Sequence, residues 1–226
     1  MFNHIAPRYD FLNHFLSLGI DRSWRKRVVN QLFECKSGRM LDVATGTGDL
    51  AIAAALRYPN LKVDGVDIAI SMLEVAKEKV EKRKLAGRIA LHVGDAENIA
   101  FSDNTFDCVT AAFGVRNFEN VQAGLNEMFR VLKPGGKIVI LEFSKPRKGF
   151  FAVVYRIYFK YILPFFGKLV SGNNRAYTYL PESVNAFAER DAFVGLLKES
   201  GFGNCSYTPL TFGVACMYLG IKPSTN

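Results

Sequence analysis

The sequence predicts a doubly wound α/β fold, on three observations. Strand-like and helix-like segments alternate through the middle of the chain. A glycine turn, Gly46-Thr47-Gly48, joins the first strand to the next helix. An acid, Asp67, closes the second strand 19 residues beyond Gly48. Alternation of this kind builds a parallel sheet covered by helices on both faces. Such sheets bind ligands in the crevice at the carboxyl ends of their strands.

The elements follow in order. Residues 39–44 (RMLDVA) are a short apolar run before the glycine turn and read as strand one. Residues 50–58 are Ala-rich and helical. Residues 62–67 (KVDGVD) are strand two, residues 71–84 a long charged helix, residues 89–93 strand three and residues 106–113 (FDCVTAAF) strand four. Residues 121–132 form an amphipathic helix and residues 137–143 (KIVILEF) strand five. Residues 191–200 read as a helix stopped by Gly201. Two β-rich segments, 204–209 and 213–221, are joined by a short turn and are expected to pair antiparallel. Two segments lie outside this core. Residues 11–35 are expected to be helical. Residues 150–170 are strongly aromatic, but Arg156, Lys160, Pro164 and Lys168 make them a poor membrane span. They read as a buried helix, a substrate lid or an interfacial helix.

With 226 residues, 49% of them hydrophobic, the chain suffices for one domain with a large core. That domain divides into N-terminal helices (1–36), a ligand-binding core (37–145), an aromatic insertion (146–185) and a C-terminal helix with antiparallel strands (186–222). No basic start followed by an apolar run marks a secretory signal. The four cysteines, Cys35, Cys108, Cys205 and Cys216, form no CxxC pair, so reduced core thiols are expected and no metal site. A cytoplasmic protein is the expectation. The net charge of +8 is concentrated at residues 22–27, at residues 77–88 and at Lys145, Arg147 and Lys148. The middle cluster carries Glu78 and Glu81 and reads as a solvated helix face. No RNA-binding module accompanies the charge, so no nucleic-acid partner is expected.

The sharpest local feature is LDVATGTGDL, residues 41–50. Glycines let the backbone turn tightly and approach a ligand. A carboxylate at Asp67 can accept two hydrogen bonds from a ribose diol. This pattern alone is shared by dinucleotide and S-adenosylmethionine sites, since Ala51 is tolerated where a third glycine would stand. A pyrophosphate wants a free helix N-terminus. Asp49 puts negative charge there, which suits a cationic sulfonium ligand. After strand three come Gly94, Asp95 and Ala96. Asp95 can accept from an adenine amino group with the Ala96 amide beside it, or serve as a cap. Residues 131–143 (VLKPGGKIVILEF) then supply a helix end, a Pro-Gly-Gly turn and strand five. As a set these features look like class I S-adenosylmethionine-dependent methyltransferases, which have a Rossmann-like, mostly parallel seven-stranded sheet with an antiparallel last strand.

Longer segments resemble one family. YDFLNHFLSLGIDRSW (9–24), FGVRN (113–117), RVLKPGGKIVILEFS (130–144), LPFFGKLVSGN (163–173) and YTYLPESV (177–184) closely resemble the ubiquinone/menaquinone biosynthesis C-methyltransferases. The resemblance covers nearly the whole chain. It departs at Leu12, where the family pattern has Met, and at Asp21, where it has His. It implies S-adenosyl-L-methionine as cofactor, with contacts at Thr47, Asp67, Asp95 and Ala96, and the turn glycines Gly46 and Gly48 are expected to bind the same ligand. Many relatives add a serine contact where Ala112 stands, and alanine has no hydroxyl to make it. The implied reaction is methylation of a ring carbon on a polyprenylated quinol. The N-terminus resembles those of menaquinone producers, so demethylmenaquinol is the expected acceptor, with a ubiquinone precursor or another small molecule as the alternative.

In that reaction the quinol phenolate pushes electron density onto the adjacent unsubstituted carbon. Arg116, Glu142 and Tyr179 are the residues to which catalytic work is assigned. Arg116, after strand four, either stabilises the phenolate or sits in a structural ion pair. Glu142, at the end of strand five, orients Arg116 or a water, or ties down a loop. Tyr177 and Tyr179 line the quinol pocket or pack in an aromatic core. Tyr9, Asp10 and Asn13 lie where a helix start can close over the cofactor, and His14 and His92 are expected to be structural or exposed. The prenyl tail implies a peripheral contact with the inner face of the membrane, through residues 150–170. A homodimer is also allowed. Two rivals from other classes are a non-catalytic cofactor-binding scaffold and a nicotinamide oxidoreductase.

Overall fold

The computed structural model describes residues 17, 19–146 and 182–224. The aromatic segment 150–170, and Tyr9, Asp10, Asn13, His14, Tyr177 and Tyr179, lie outside the described residues.

The described residues form a seven-stranded sheet of order β3-β2-β1-β4-β5-β7-β6. The strands are β1 (Arg39–Val43), β2 (Lys62–Asp67), β3 (Ile89–Val93), β4 (Phe106–Ala112), β5 (Leu132–Phe143), β6 (Gly203–Leu210) and β7 (Ala215–Ile221). The first five are parallel. β7 lies between β5 and β6 and is antiparallel to both, as expected for the last strand. The strand order reverses between β1 and β4, which opens the crevice where such sheets take ligands.

Two cores flank the sheet. Met40, Cys108, Val139 and Leu141 point to one face, where they meet Trp24, Val28 and Val29 of α1 (Ile20–Asn30), Leu50, Ala51 and Ala54 of α2 (Asp49–Arg57) and Val80 of α3 (Ile70–Lys82). Leu41, Val43, Val109, Ile138 and Ile140 point to the other face, against Leu125 and Met128 of α4 (Val121–Val131) and Phe193 and Leu197 of α5 (Asp191–Glu199). Alternate residues of one central strand thus serve opposite cores, so these strands read as continuous apolar runs. Burial on both faces is also why β1 tolerates almost no exposure.

The main departure from expectation is the start of β5. It begins at Leu132, which pairs with Phe106, and the register then shifts before Lys137 meets Cys108. The Pro134-Gly135-Gly136 turn therefore lies inside the strand as an irregularity. Its backbone is satisfied from the far end of the chain. Gly135 N–H donates to the Lys222 carbonyl at 2.8 Å, and Lys222 N–H donates to the Gly136 carbonyl at 2.9 Å. At the other end, Thr211, Phe212 and Gly213 all have positive φ and make a tight turn, so β7 starts at Ala215.

Candidate functional site

The β1–β4 crevice holds a cavity of about 310 Å³ at the carboxyl ends of the strands. Its floor is the glycine turn. Leaving β1, Ala44, Gly46 and Gly48 all have positive φ. The Thr45 N–H donates to the Val66 carbonyl of β2 at 3.0 Å, and the Gly48 N–H to the Thr45 carbonyl at 2.9 Å. A Cβ on Gly46 would meet nothing within 4 Å. Glycine is needed there for backbone handedness, and the space above it stays open. Opposite, Gly114 brings the turn after β4 against this one. A Cβ on Gly114 would stand 2.4 Å from the Ala44 Cβ.

Asp67 closes β2 and lines the cavity. Its Oδ2 accepts the Gly46 N–H at 2.7 Å and its Oδ1 accepts the Ala69 N–H at 2.8 Å. Burial raises its pKa, against the backbone donors that lower it. The carboxylate keeps acceptor capacity beyond its backbone donors, which fits a ribose hydroxyl pair. Asp95 and Ala96 line the same cavity. Asp95 is exposed and accepts the Glu97 N–H at 2.9 Å, and its backbone bridges to Asn98, so its local role is to close a turn. Thr47 is buried beneath the turn, where Lys79 Nζ donates to its Oγ1 at 3.2 Å. Gly46, Thr47, Asp67, Asp95 and Ala96 therefore come together around one cavity, and Gly48 caps the start of α2 just below it. Ala112 is in the wall.

Asp49 behaves differently from expectation. Its carboxylate pairs with Lys79, and Arg25 Nη2 approaches to 3.8 Å, so its charge is compensated. The acid that stands out is one the sequence did not single out, Asp42. It is 1% exposed and accepts the hydroxyls of Thr45 and Thr110, each at 2.7 Å. Burial, opposed by these hydroxyls, pushes its pKa up to about 6. Arg25 on α1 was also not singled out. It pairs with Asp21 and reaches the cavity beside the Phe113 ring. The signals were present: an acid inside an otherwise apolar strand, and an arginine next to the buried Trp24.

Arg116 and Glu142 form a buried ion pair, Nη1 to Oε1 at 2.7 Å, with side chains 6% and 0% exposed. Arg116 Nη1 also donates to the Phe113 carbonyl at 2.5 Å. Glu142 Oε1 accepts the Phe143 N–H at 2.9 Å. The pair fastens the short turn Val115–Asn117 to the end of β5. Arg116 does not line the first cavity. It faces a second depression together with Val121, Phe187 and Leu196, and its Nε has no hydrogen-bond partner among the described residues. Tyr179 lies outside the described residues. His92 bonds to Asp64 through Nε2 at 2.9 Å and stacks edge-on against Phe101, away from both cavities. Among the described residues no group of His, Cys, Asp or Glu is arranged to hold a metal ion.

The ubiE/COQ5 methyltransferase family model matches residues 1–222. A demethylmenaquinone methyltransferase of Thermus thermophilus is 49% identical over 223 residues, covering 99% of this chain and 100% of that one. A ubiquinone/menaquinone biosynthesis C-methyltransferase of Geotalea daltonii is 48% identical, covering 98% and 94%. Among solved structures, a Methanococcus maripaludis protein described as a putative S-adenosyl-L-methionine-dependent methyltransferase superposes with TM-score 0.67 at 20% identity, covering 98% and 93%. Haemonchus contortus phosphoethanolamine N-methyltransferase 2, in complex with S-adenosyl-L-methionine, gives 0.67 at 19%, covering 89% and 53%. At those identities the likeness to the two structures is one of fold.

Proposed function

The chain belongs to the ubiE/COQ5 methyltransferase family, and from that premise we propose that it transfers the methyl group of S-adenosylmethionine to a ring carbon of demethylmenaquinol, giving menaquinol. The observation that carries the cofactor assignment is the pair of acids, Asp42 and Asp67, beside the open Gly46 turn at the strand-order reversal. A dinucleotide pyrophosphate would bring negative charge to this floor. A ligand with an ammonium, a sulfonium and a ribose diol suits it. Asp67 would take the diol, Asp95 and the Ala96 amide the adenine, and Gly46, Thr47 and Gly48 the methionine chain. Asp42 supplies a buried negative charge for the ammonium, and Arg25 is a cation available to the carboxylate. When bound, S-adenosylmethionine supplies an electrophilic methyl group.

The acceptor assignment rests on relatives nearly half identical over their whole length that are named demethylmenaquinone methyltransferases. The protein's work is then to hold the quinol carbon in line with the methyl, and proximity of this kind lowers a barrier by about 7 kcal/mol or more. Arg116 is assigned the positive charge for the quinol phenolate, from the second depression that it faces. Glu142 orients Arg116. Among the described residues no helix is long and apolar enough to cross a membrane. The proposed contact with the prenyl tail is peripheral, at the inner face of the membrane.

The test is incubation with methyl-labelled S-adenosylmethionine and either reduced demethylmenaquinone or a prenylated benzoquinol. Label should enter the demethylmenaquinone. Label in the benzoquinol alone would move the acceptor to the ubiquinone branch, and label in neither would reject the acceptor class.

A further inference from the structure

The first half of α1 lies beside the cofactor cavity. Trp24 Nε1 donates to Thr211 Oγ1 at 2.8 Å, and Arg25 lines the cavity. The chain then runs back along the sheet, so that Lys137 Nζ meets the Gln31 carbonyl at 3.3 Å and Glu34 at 2.5 Å. The buried face of the helix holds Asp21, Trp24, Val28 and Val29. Its outer face holds Arg22, Lys26 and Arg27, all exposed, followed by exposed Lys36. None of these four has an ion-pair partner among the described residues. The acids of the same stretch are already engaged: Asp21 with Arg25, and Glu34 with Lys137. At the far end Phe33 is 58% exposed, with the Lys36 ammonium 4.4 Å from its ring centre. Among the described residues this cationic surface is therefore uncompensated, and it carries an aromatic side chain and starts next to the cavity.

We infer that the outer face of α1 and the following Phe33–Lys36 turn dock on an anionic lipid bilayer. A bilayer offers the negative surface this face lacks, and an interface in which a phenyl ring is stable. Cations within a Debye length of such a surface each add to binding, and the contribution is screened by salt. The inference rests on the quinol reading above, in that the membrane is where a prenylated substrate resides. It gives that reading a location, on a helix separate from residues 150–170.

The experiment is co-sedimentation of the full chain with phosphatidylcholine vesicles, with or without about 30 mol% phosphatidylglycerol. Binding is expected on the anionic vesicles only, and is expected to weaken with salt. The Arg22→Glu/Lys26→Glu/Arg27→Glu variant should lose binding by about 10²-fold or more. A variant with the same charge change on exposed residues of α3 and its C-cap, Lys77→Glu/Lys82→Glu/Arg83→Glu, should keep it. Thermal melts check that both variants are folded. Equal losses in the two would mean that net charge, and not this face, binds. That result, or unaltered binding by the α1 variant, overturns the inference, as does wild-type protein that ignores the vesicles but binds single-stranded RNA through the same residues. Methyl transfer separates this inference from the acceptor assignment. The α1 variant should methylate a tail-free naphthoquinol in solution as wild type does, and fail on the prenylated quinol in vesicles. Wild-type protein that docks but methylates neither quinol sinks the acceptor assignment and leaves the docking face standing.

Discussion

At the scale of single residues, the carboxylates are the clearest levers. Asp67 is expected to make two charge-assisted hydrogen bonds to the ribose, each worth about 1.5–3 kcal/mol. Asp67→Ala should weaken binding of S-adenosylhomocysteine by about 10²-fold by titration calorimetry, and unchanged affinity would relocate the ribose. Asp42 makes a pH prediction with a definite sign. Its folded pKa, about 6, lies above the value near 3.9 of an unfolded aspartate. The native state therefore binds the extra proton. This group adds stability as pH falls through about 6 towards 4, and that stability is lost as pH rises through 6. The span amounts to about 3 kcal/mol. In the ligand-free protein Asp42→Asn should flatten the dependence of the denaturation midpoint on pH between 4 and 7. The same protonation removes the charge proposed for the cofactor ammonium, so cofactor affinity should fall over the window in which apo stability rises. Glu142→Ala leaves the Arg116 guanidinium buried without its carboxylate, which typically costs about 3–5 kcal/mol. Urea melts would read that loss, and a cost near zero would mean that Arg116 turns to another partner.

At the scale of elements, the site is two turns pressed together. The turn after β1 supplies the floor and the turn after β4 the wall, and they touch where Gly114 meets Ala44. Gly114→Ala puts a methyl group 2.4 Å from the Ala44 Cβ, so one turn must move. Overpacking of this kind costs about 1–3 kcal/mol. Cofactor affinity should fall with it because the floor is displaced, whereas Gly87→Ala, with nothing within 4 Å, should leave affinity unchanged. Calorimetry on the two variants gives the comparison. The irregular start of β5 shows how elements depend on one another. Pro134, Gly135 and Gly136 have the composition of a turn, and read locally they place the strand start at Lys137. They remain in the sheet because the chain leaving β7 supplies their backbone partners.

At the scale of the whole molecule, the two cores hold the sheet rigid and leave the crevice at its carboxyl edge as the place where ligand can add contacts. A ligand at 100 times its dissociation constant stabilises the native state by about 2.7 kcal/mol. For a chain of this length that corresponds to a rise of about 5–10 °C in melting temperature. S-adenosylhomocysteine should produce this rise and NAD should not; the opposite result would return the pocket to the dinucleotide class. Much of this architecture was legible beforehand. β2 and β3 fall where residues 62–67 and 89–93 were read as strands, and the pairing of the last two strands followed from the short turn between them. What the sequence by itself determined was the order of elements, the glycine turn and the acids that end or follow strands. Hydrophobic period and turn chemistry are written within a few neighbouring residues. What only the tertiary structure decided was which charges remain available. Asp42 acquires its raised pKa from burial, which outweighs the hydrogen bond from Thr110, 68 residues away; Asp49 is paired with Lys79, and Arg116 is tied to Glu142. The physical reason is that solvation and pairing of a charge depend on groups brought near by folding, and no local pattern records them.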